Sequence, residues 1–392
     1  TKGANSMQSK FVAKRYWKEE VPAMSLVDEL ASKYDDIIDL SLGDPDLTTD
    51  KIIIDNVYED MLKGHTRYTE FRGDRELRAE IAKFYEEEYG FHIDDTAVYV
   101  TASGTHAMCL AFCAILDPGD EVIVHGPYYP YYINQIEFAG GKPVILDCTE
   151  DDFKINPQKL ESLVNERTKA LLLNTPNNPT GMCASRDLLE EIASVAKAKD
   201  ILVVADDIYT AFSYKEPFVP IMTLDGMKDR TVTLNSFSKD YTMTGWRVGN
   251  IIAPENIINA VKIVNDSVMF TAPSISQRAA IYALRNRKTI QPPMVEEYRR
   301  RLFYAAERIN KIKNLSTLPP QGTFYLMVNI KKLGMNSVEA SKLLLEKAHV
   351  LTIPGISFGQ CGEGFVRIAC TRDLNVLKEA FDRLESVEEL VK

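Results

Sequence analysis

Five apolar residues run directly into two carboxylates in the segment Ile201-Leu202-Val203-Val204-Ala205-Asp206-Asp207-Ile208-Tyr209. A short apolar run of this kind predicts a strand that is buried on both faces of a parallel sheet. Open α/β sheets bind their ligands at the carboxyl ends of the strands, so Asp206 is a candidate site residue. The competing interpretation is that Asp206 simply caps the start of a helix.

Similar apolar runs lie on both sides of this strand, at residues 121–124, 143–146, 170–173 and 231–234. Helical patterns separate them, as in residues 185–199, where the apolar side chains fall on one face. Strands that alternate with helices imply an α/β fold with a mainly parallel sheet and helices on both faces.

The pattern changes beyond about residue 280, where long charged helices appear, including Glu296-Glu297-Tyr298-Arg299-Arg300-Arg301, followed by shorter strands. We therefore predict a large domain over residues 48–280 and a smaller, discontinuous α+β domain formed by residues 1–47 and 281–392. Pro292-Pro293 is expected to break the chain near the boundary. The length of 392 residues agrees with two domains.

Composition limits the possible functions of the chain. Hydrophobic residues make up 45% and charged residues 26%, as in ordinary globular proteins. The net charge of −10 provides no general basic surface, so we expect no nucleic-acid partner. The six cysteines show no zinc-type spacing, so we expect free thiols, no metal site and a cytoplasmic location.

Residues 96–116 contain no Asp, Glu, Lys or Arg and are long enough to cross a bilayer. We interpret them instead as a strand over residues 97–101, a turn at Ala102-Ser103-Gly104 and an apolar helix. A polar turn in the middle of a membrane span would leave backbone groups without partners in lipid. The chain is therefore expected to have no membrane partner, and its polar first residues lack the apolar core of a secretory signal.

Common nucleotide and metalloprotease signatures are absent, since the chain contains no GxxxxGK[ST] motif and no HExxH motif. Polar motifs instead follow the predicted strands. Ser236-Phe237-Ser238-Lys239 follows the strand at 231–234, and Arg247 comes eight residues after Lys239. A lysine at such a position, with hydroxyls and an arginine nearby, could form a Schiff base beside an anion site. Any one of these motifs is weak, because a lysine in a polar loop is usually a solvated surface residue.

Taken together, the motifs resemble those of fold type I pyridoxal-phosphate enzymes, and specifically the class I/II aminotransferases of the aspartate aminotransferase superfamily. The resemblance covers most of the chain and follows the family's order: SLGDPD (41–46), YTEFRG (68–73), ELR (76–78), TASGTHA (101–107), NNPTG (177–181), DDIY (206–209), SFSK (236–239), GWRVG (245–249) and FVRI (365–368). It implies a seven-stranded type of sheet, pyridoxal 5′-phosphate as cofactor, and a transaminase.

The resemblance implies roles at the cofactor ring. Lys239 would carry the cofactor as an aldimine and later move the proton between the substrate Cα and C4′. Asp206 would pair with the pyridine nitrogen and keep it protonated. Tyr209 would donate to the phenolic O3′, and Asn178 would share that oxygen. The alternatives are a core tyrosine with a satisfied hydroxyl and a turn asparagine.

The resemblance also implies a phosphate site at the start of a helix, where free N–H groups and the helix dipole favour an anion. Its members would be Ser103, Gly104, Thr105, Ser236, Ser238 and Arg247. Gly104 would let the backbone approach closely.

Further roles follow from the same resemblance. Tyr129 would stack on the pyridine ring, although the cluster at 128–132 leaves the register open by one residue. Arg367 would grip the substrate α-carboxylate, with Gly43 giving a backbone N–H and Asn178 a side-chain donor. Tyr68 would reach the phosphate of the neighbouring subunit, so a homodimer with shared active sites is implied.

We therefore predict an aminotransferase that moves an amino group from an amino acid to a 2-oxo acid in two half-reactions. The nearest alternative is a C–S β-lyase of the cystathionine or cysteine-conjugate type, because the same lysine and electron sink serve both reactions. A ligand-binding regulator and an inactive scaffold are less favoured, since the roughly 40 residues before Gly43 hold no helix-turn-helix segment and Lys239 is present. Donor specificity stays open among aspartate, aromatic and broad neutral amino acids. Thr at position 105, where some aspartate-specific relatives carry Lys, counts against aspartate.

Overall fold

A computed structural model describes residues 10–17 and 23–392. The strands in these ranges are β1 (Ile38–Asp39), β2 (Val98–Thr101), β3 (Glu121–Gly126), β4 (Lys142–Asp147), β5 (Thr168–Asn174), β6 (Leu202–Asp206), β7 (Thr231–Ser236), β8 (Gly249–Ile252), β9 (Tyr325–Asn329), β10 (Val350–Leu351), β11 (Ile353–Pro354) and β12 (Phe365–Ala369).

The helices in the same ranges are α1 (Ala23–Ala31), α2 (Lys51–Leu62), α3 (Arg75–Tyr89), α4 (Gly104–Ile115), α5 (Tyr131–Phe138), α6 (Pro157–Leu163), α7 (Arg186–Ala198), α8 (Glu255–Val268), α9 (Ser274–Arg285), α10 (Arg287–Lys311), α11 (Ser337–Ala348), α12 (Leu374–Glu385) and α13 (Glu388–Val391). The predicted helix at residues 185–199 corresponds to α7, which Ser185 caps through a hydrogen bond from Leu188 N.

A seven-stranded sheet with the order β2-β8-β7-β6-β5-β3-β4 forms the centre of the molecule. It is parallel except for β8, which pairs antiparallel with both β2 and β7. Each apolar run predicted as a strand lies in this sheet, with ends that differ by three residues or fewer. The predicted α/β fold with a mainly parallel sheet is confirmed.

Helices cover both faces of the sheet, and β3 shows this residue by residue. Val122 and Val124 pack in one hydrophobic cluster with α4, whereas Ile123 packs in another with α7. Alternate side chains of one strand point to opposite faces, so continuous apolar runs are needed to bury both.

A second group of elements lies around a three-stranded antiparallel sheet with the order β11-β12-β9. Its core combines Ile38 and Leu40 with apolar residues from α10, α11 and α12. The segment that ends in β1 therefore packs with the C-terminal part of the chain, and β1 pairs in parallel with β10.

The expected chain break at Pro292-Pro293 is wrong, because both prolines lie inside the 25-residue helix α10. Both side chains are exposed. Lys288 and Thr289, whose carbonyl groups lose their N–H donors, are exposed residues as well, so water can replace the missing bonds. Proline exposure therefore explains why the helix continues.

The uncharged residues 96–116 contain β2, a turn and α4, as predicted. Ser103 caps α4 by accepting a hydrogen bond from His106 N at 3.1 Å. Of the strands that the structure describes, only β8 pairs with β2, and Val98 lies opposite Ile252. Among the described residues, the helices are all too short or too polar to span a bilayer.

Candidate active site

The carboxyl ends of neighbouring parallel strands bring polar side chains together at one edge of the large sheet. Asp206 ends β6, and its register partner on β5 is Asn174. The Asn174 side chain donates to the Asp206 carbonyl oxygen at 2.9 Å. Ser236 ends the adjacent strand β7, and Lys239 follows three residues later. The strand order therefore assembles residues that are far apart in the chain.

Asp206 is buried, with 8% of its surface exposed. The Tyr132 hydroxyl donates to its Oδ2 at 2.5 Å. Burial raises the pKa of Asp206 to about 6, and the Tyr132 hydrogen bond acts in the opposite direction. A cationic N–H at the carboxylate would offset this cost of burial.

Asn174 is held by a further buried group, His125. Its backbone N–H donates to Nε2 of His125 at 3.0 Å. Burial lowers the pKa of His125 to about 4, so the ring is neutral and can accept. Asn174 Oδ1 in turn accepts from the backbone N–H of Asn178 at 2.9 Å. We call Asp206, Asn174, Tyr132 and His125 the strand-end cluster.

Two more carboxylates are buried beside this cluster. Burial raises the pKa of Asp207, and Asp206 and Asp240 add to the rise. Burial also raises the pKa of Asp240 to about 7. Asp240 Oδ2 accepts from the Thr210 hydroxyl at 2.6 Å, while its Oδ1 lacks a partner among the described residues.

The start of α4 lies against the ends of β7 and β8. A Cβ added to Gly104 would lie 3.2 Å from the Ser236 Cβ. A Cβ on Gly249 would lie 2.5 Å from the Asn235 carbonyl oxygen, so that position also requires glycine. Ser236 Oγ accepts from the backbone N–H of Ser238 at 3.1 Å. The predicted phosphate residues Ser103, Gly104, Ser236 and Ser238 are thus brought to one place.

Three other residues that were predicted to bind the cofactor are exposed: Arg247, Thr105 and Tyr68. Arg247 is exposed, and its Nη1 donates to the Thr244 carbonyl oxygen at 2.8 Å. Thr105 is exposed in the first turn of α4. Tyr68 is 81% exposed and meets the Phe270 ring edge-on at 5.2 Å. The structure does not bring these side chains onto the serines.

Lys239 and Gly43 come together from distant parts of the chain. The Lys239 ammonium donates to the Gly43 carbonyl oxygen. A Cβ on Gly43 would lie 1.7 Å from the Tyr325 hydroxyl oxygen. The close approach of this loop to β9 therefore requires glycine at position 43.

Arg367 lies on β12 with only 5% of its surface exposed. Its Nη1 donates to Asn178 Oδ1 at 2.9 Å, and its Nη2 donates to the Ser41 carbonyl oxygen at 2.5 Å. The guanidinium carbon is 4.3 Å from the centre of the Tyr325 ring and 4.8 Å from that of Phe358. We call Arg367, Lys239, Tyr325, Gly43 and Ser41 the junction cluster.

A buried cation with an open donor needs an anion. The Nε of Arg367 finds no hydrogen-bond partner among the described residues. Burial lowers the pKa of Arg367, which reflects the cost of keeping this charge away from water. A planar carboxylate is the ligand that best matches a guanidinium fork.

Tyr209 and Tyr129 complete the site. The Tyr209 and Tyr325 hydroxyl oxygens are 3.1 Å apart. Tyr129 is half-buried, and its ring meets the Tyr132 ring edge-on at 5.4 Å. Within the tyrosine cluster at 128–132, therefore, Tyr132 contacts Asp206 and Tyr129 lies next to it.

These groups fit a ligand with a basic ring nitrogen, a phenolic oxygen and a phosphate. The buried carboxylate of Asp206 would pair with the ring nitrogen, the residues at the start of α4 would hold the phosphate, and Lys239 is available for a covalent link. Fold and site together define a pyridoxal-phosphate enzyme of the α/β class.

The chain matches the family model "Aminotransferase class I and II" over residues 35–384 and belongs to that family. Pyridoxal phosphate is the cofactor of the family, and the chain is an aminotransferase.

Similar proteins support this assignment and differ in their named substrates. The chain is 35% identical to a probable N-acetyl-LL-diaminopimelate aminotransferase of Bacillus subtilis, covering 93% of each chain. It is 37% identical to aromatic-amino-acid aminotransferase 2 of Thermococcus litoralis, covering 92% of this chain and 93% of the relative. The crystal structure of aspartate aminotransferase from Thermotoga maritima has 34% identity and a TM-score of 0.89, covering 95% of this chain and 99% of that one.

Proposed function

We propose that the strand-end cluster and the junction cluster together carry out transamination between an amino acid and a 2-oxo acid, with Lys239 as the residue that binds the cofactor covalently. One observation carries this proposal: a continuous series of contacts links the two clusters. Arg367 contacts Asn178, and Asn178 contacts Asn174, which bonds to Asp206.

Arg367 and Asn178 are placed to hold the substrate carboxylate. The open Nε and the Nη groups of Arg367 offer the carboxylate a bidentate contact. To make it, Nη2 exchanges the Ser41 carbonyl oxygen for a charged acceptor. A bond from the guanidinium to a carboxylate carries charge on both partners and is stronger than the bond to a neutral carbonyl, so the exchange favours binding.

Lys239 is placed to link the cofactor and to carry a proton. Its amine reaches the Gly43 carbonyl oxygen, which lies in the loop beside Arg367's partner Ser41. Bound pyridoxal phosphate supplies a conjugated ring that accepts the electron pair left at the amino-acid Cα. Lys239 would move the proton from Cα to C4′ of the cofactor, and Asp206 would keep the ring nitrogen protonated.

The remaining cofactor contacts follow from position. Ser103, Gly104, Ser236 and Ser238 form a cup at the start of α4 that would hold a phosphate, and the family resemblance adds Thr105 and Arg247 to it. Tyr209 donates to the phenolic oxygen, with Asn178 beside it. Tyr129 contacts the ring of Tyr132 and would stack on the pyridine ring.

The covalent role of Lys239 is tested by spectroscopy and mass spectrometry. After incubation with pyridoxal phosphate, the wild type should show a visible absorption band that Lys239→Ala lacks, and borohydride reduction should leave the cofactor on Lys239. Lys347→Ala, which changes an exposed lysine, should retain the band. A colourless wild type, or reduced cofactor on another lysine, would contradict the proposal.

The β-lyase alternative is not favoured, because the relatives are named aminotransferases. Incubation with cysteine or cystathionine without a 2-oxo acid should release no pyruvate. Aspartate, aromatic and neutral donors should be compared by the loss of the visible band, since the relatives' names divide among these classes. Thr105 favours a donor other than aspartate.

We also propose a homodimer with shared active sites. Tyr68, Phe71 and Phe270 form an exposed aromatic group, and α2 adds exposed Tyr58 and Leu62 nearby in the chain. If Tyr68 acts in the partner's site, mixing Tyr68→Ala with Arg367→Ala should restore part of the activity that each variant lacks. No recovery after subunit exchange would contradict this arrangement.

The division into residues 48–280 and residues 1–47 with 281–392 stays a prediction, as does the cytoplasmic location. Packing of Ile38 and Leu40 against α10 and α12 supports the division.

A further inference from the structure

Tyr325 is a buried residue to which the proposed reaction gives no role. It begins β9 opposite Ala369 of β12, so Arg367 lies diagonally from it on the same face of the sheet. Its ring covers the Arg367 guanidinium at 4.3 Å, and its hydroxyl lies 3.1 Å from that of Tyr209. It joins the residue facing the substrate carboxylate to the one facing the phenolic oxygen.

The position of this hydroxyl is fixed from two sides. Tyr209 lies on one side, and the Gly43 backbone on the other is so close that an added Cβ would lie 1.7 Å from the Tyr325 oxygen. Tyr325 and Tyr209 are 2% and 3% exposed, which leaves little room for water between them. The Tyr325 hydroxyl is therefore held within hydrogen-bond distance of the Tyr209 hydroxyl.

The direction of the hydrogen bond follows from the number of protons. Either hydroxyl can donate in the isolated pair, and each has one proton. If Tyr209 uses its one proton to donate a hydrogen bond to the phenolic oxygen of the cofactor, the Tyr209 oxygen can only accept from Tyr325. Burial raises the pKa of Tyr209, so this hydroxyl stays protonated.

Other charged and titratable groups face the pair. Arg367 opposes the rise in the Tyr209 pKa, while Tyr129 adds to it. Lys239 reaches the same Gly43 loop, and Asp206 lies behind Tyr132. These groups are common to the wild type and to the variants compared below.

We propose that Tyr325 is a positioning residue that donates a hydrogen bond to Tyr209 and thereby orients and polarises the Tyr209 hydroxyl toward the phenolic oxygen of the cofactor. The inference rests on the proposed function, because it takes the roles of Lys239 and Tyr209 as given. Hydrogen bonds in series polarise one another, so the outer donor strengthens the inner one.

The consequence is a change in the pH at which the visible band of the holoenzyme titrates. A donor to a phenolate lowers the basicity of that oxygen, which then holds the proton on the lysine-linked nitrogen less tightly. Loss of the donor therefore raises the midpoint. Tyr325→Phe should raise it by about half a pH unit, and Tyr209→Phe by about one to two units.

The decisive measurement is a double-mutant cycle on the holoenzyme. Tyr325→Phe should add nothing further in a Tyr209→Phe background, because its effect passes through Tyr209. Tyr214→Phe is the matched control: its hydroxyl donates to the Thr323 carbonyl oxygen at 2.7 Å, and its loss should leave the midpoint unchanged. An unshifted midpoint in Tyr325→Phe, or an equal shift without Tyr209, would overturn the proposal.

A second variant separates a direct effect from loss of packing. Replacement of Tyr325 by 4-aminophenylalanine keeps an N–H donor at the same place and should restore the wild-type midpoint. The proposal would be contradicted if the 4-aminophenylalanine variant had wild-type thermal stability but the same midpoint as Tyr325→Phe. Failure of the proposed function is distinguishable, because the wild type would then lack a visible band that depends on Lys239.

Discussion

The strand-end cluster and the junction cluster differ in where their hydrogen-bond partners come from. In the strand-end cluster, side chains bond to one another or to neighbouring strands, as Tyr132 does to Asp206 and Asn174 does to the Asp206 carbonyl oxygen. In the junction cluster, the cations Lys239 and Arg367 bond to backbone carbonyl oxygens of the loop at Ser41 and Gly43.

The difference indicates that the two clusters have different functions. The register of β5 and β6 fixes the groups that would contact the cofactor ring. In the junction cluster, Arg367 has a neutral carbonyl partner that a substrate carboxylate would replace, and Lys239 has one that it would give up on binding the cofactor. A preorganised site for the ring and an exchangeable site for the substrate suit an enzyme that keeps its cofactor and releases its products.

Removal of the carboxylate from the strand-end cluster should have the largest effect. Asp206→Asn should lower kcat by about a thousandfold, because the amide can still accept from Tyr132 but cannot hold a charge opposite the ring nitrogen. Steady-state kinetics should show a much smaller change in KM. Near wild-type kcat would mean that Asp206 serves only as a hydrogen-bond acceptor, and the contrast between the clusters would fail.

Arg367→Ala tests the junction cluster alone. We expect kcat/KM for the amino donor to fall by about a hundredfold through loss of a buried charged contact, with the visible band of the bound cofactor unchanged. The matched control is Arg372→Ala, which removes an exposed arginine that bonds to the Asp39 carbonyl oxygen. Loss of the visible band in Arg367→Ala would show that the two clusters are not separable.

Asp240→Asn probes the electrostatic cost of packing carboxylates next to the strand-end cluster. Burial raises the pKa of Asp240 to about 7, so the folded protein keeps a proton that the unfolded chain releases from about pH 4 upward. Wild-type stability should therefore fall between these two pH values, and the variant should lack this fall. Thermal unfolding at pH 5 and pH 8 should show a relative gain of several degrees for Asp240→Asn at the higher pH.

The control for this measurement is Asp225→Asn, which changes an exposed carboxylate. Its unfolding curves should follow those of the wild type at both pH values. Equal pH dependence in Asp240→Asn and the wild type would show that Asp240 is ionised in the folded protein.

Tyr132→Phe should have the smallest effect. The Tyr132 hydrogen bond lowers the pKa of Asp206, so its loss should raise that pKa further. The pH below which cofactor binding weakens should rise by less than about one unit, and kcat should fall several-fold. Tyr131→Phe, which alters an exposed neighbour, should change neither quantity. Weakening of cofactor binding at the wild-type pH would mean that Asp206 does not need this donor.

The sequence predicted candidate site residues best where they directly follow a strand. Asp206 and Lys239 were singled out because they follow apolar runs that mark strands, whereas the role of Arg367 was implied by the resemblance to the aminotransferase family. Tyr325 was not assigned a role with Tyr209, because this contact joins residues more than 100 positions apart in the chain. Local patterns predict strand ends, but they do not predict which side chains meet across strands.

The same limit explains the error at Pro292-Pro293. Proline reduces helix propensity wherever it occurs, but the actual cost depends on whether solvent reaches the carbonyl groups that lose their donors. That exposure is set by how α10 packs and is not visible in the local sequence.

The pairing of β2 has a consequence for the chain during synthesis. β2 and α4 leave the ribosome as an uncharged, apolar segment, whereas β8, the partner of β2 among the described strands, follows after residue 248. A nascent chain must therefore carry an unpaired sheet edge while more than a third of the protein is translated. Such segments are prone to aggregate. We expect the yield of folded protein to depend on translation rate and on chaperones that cover this segment.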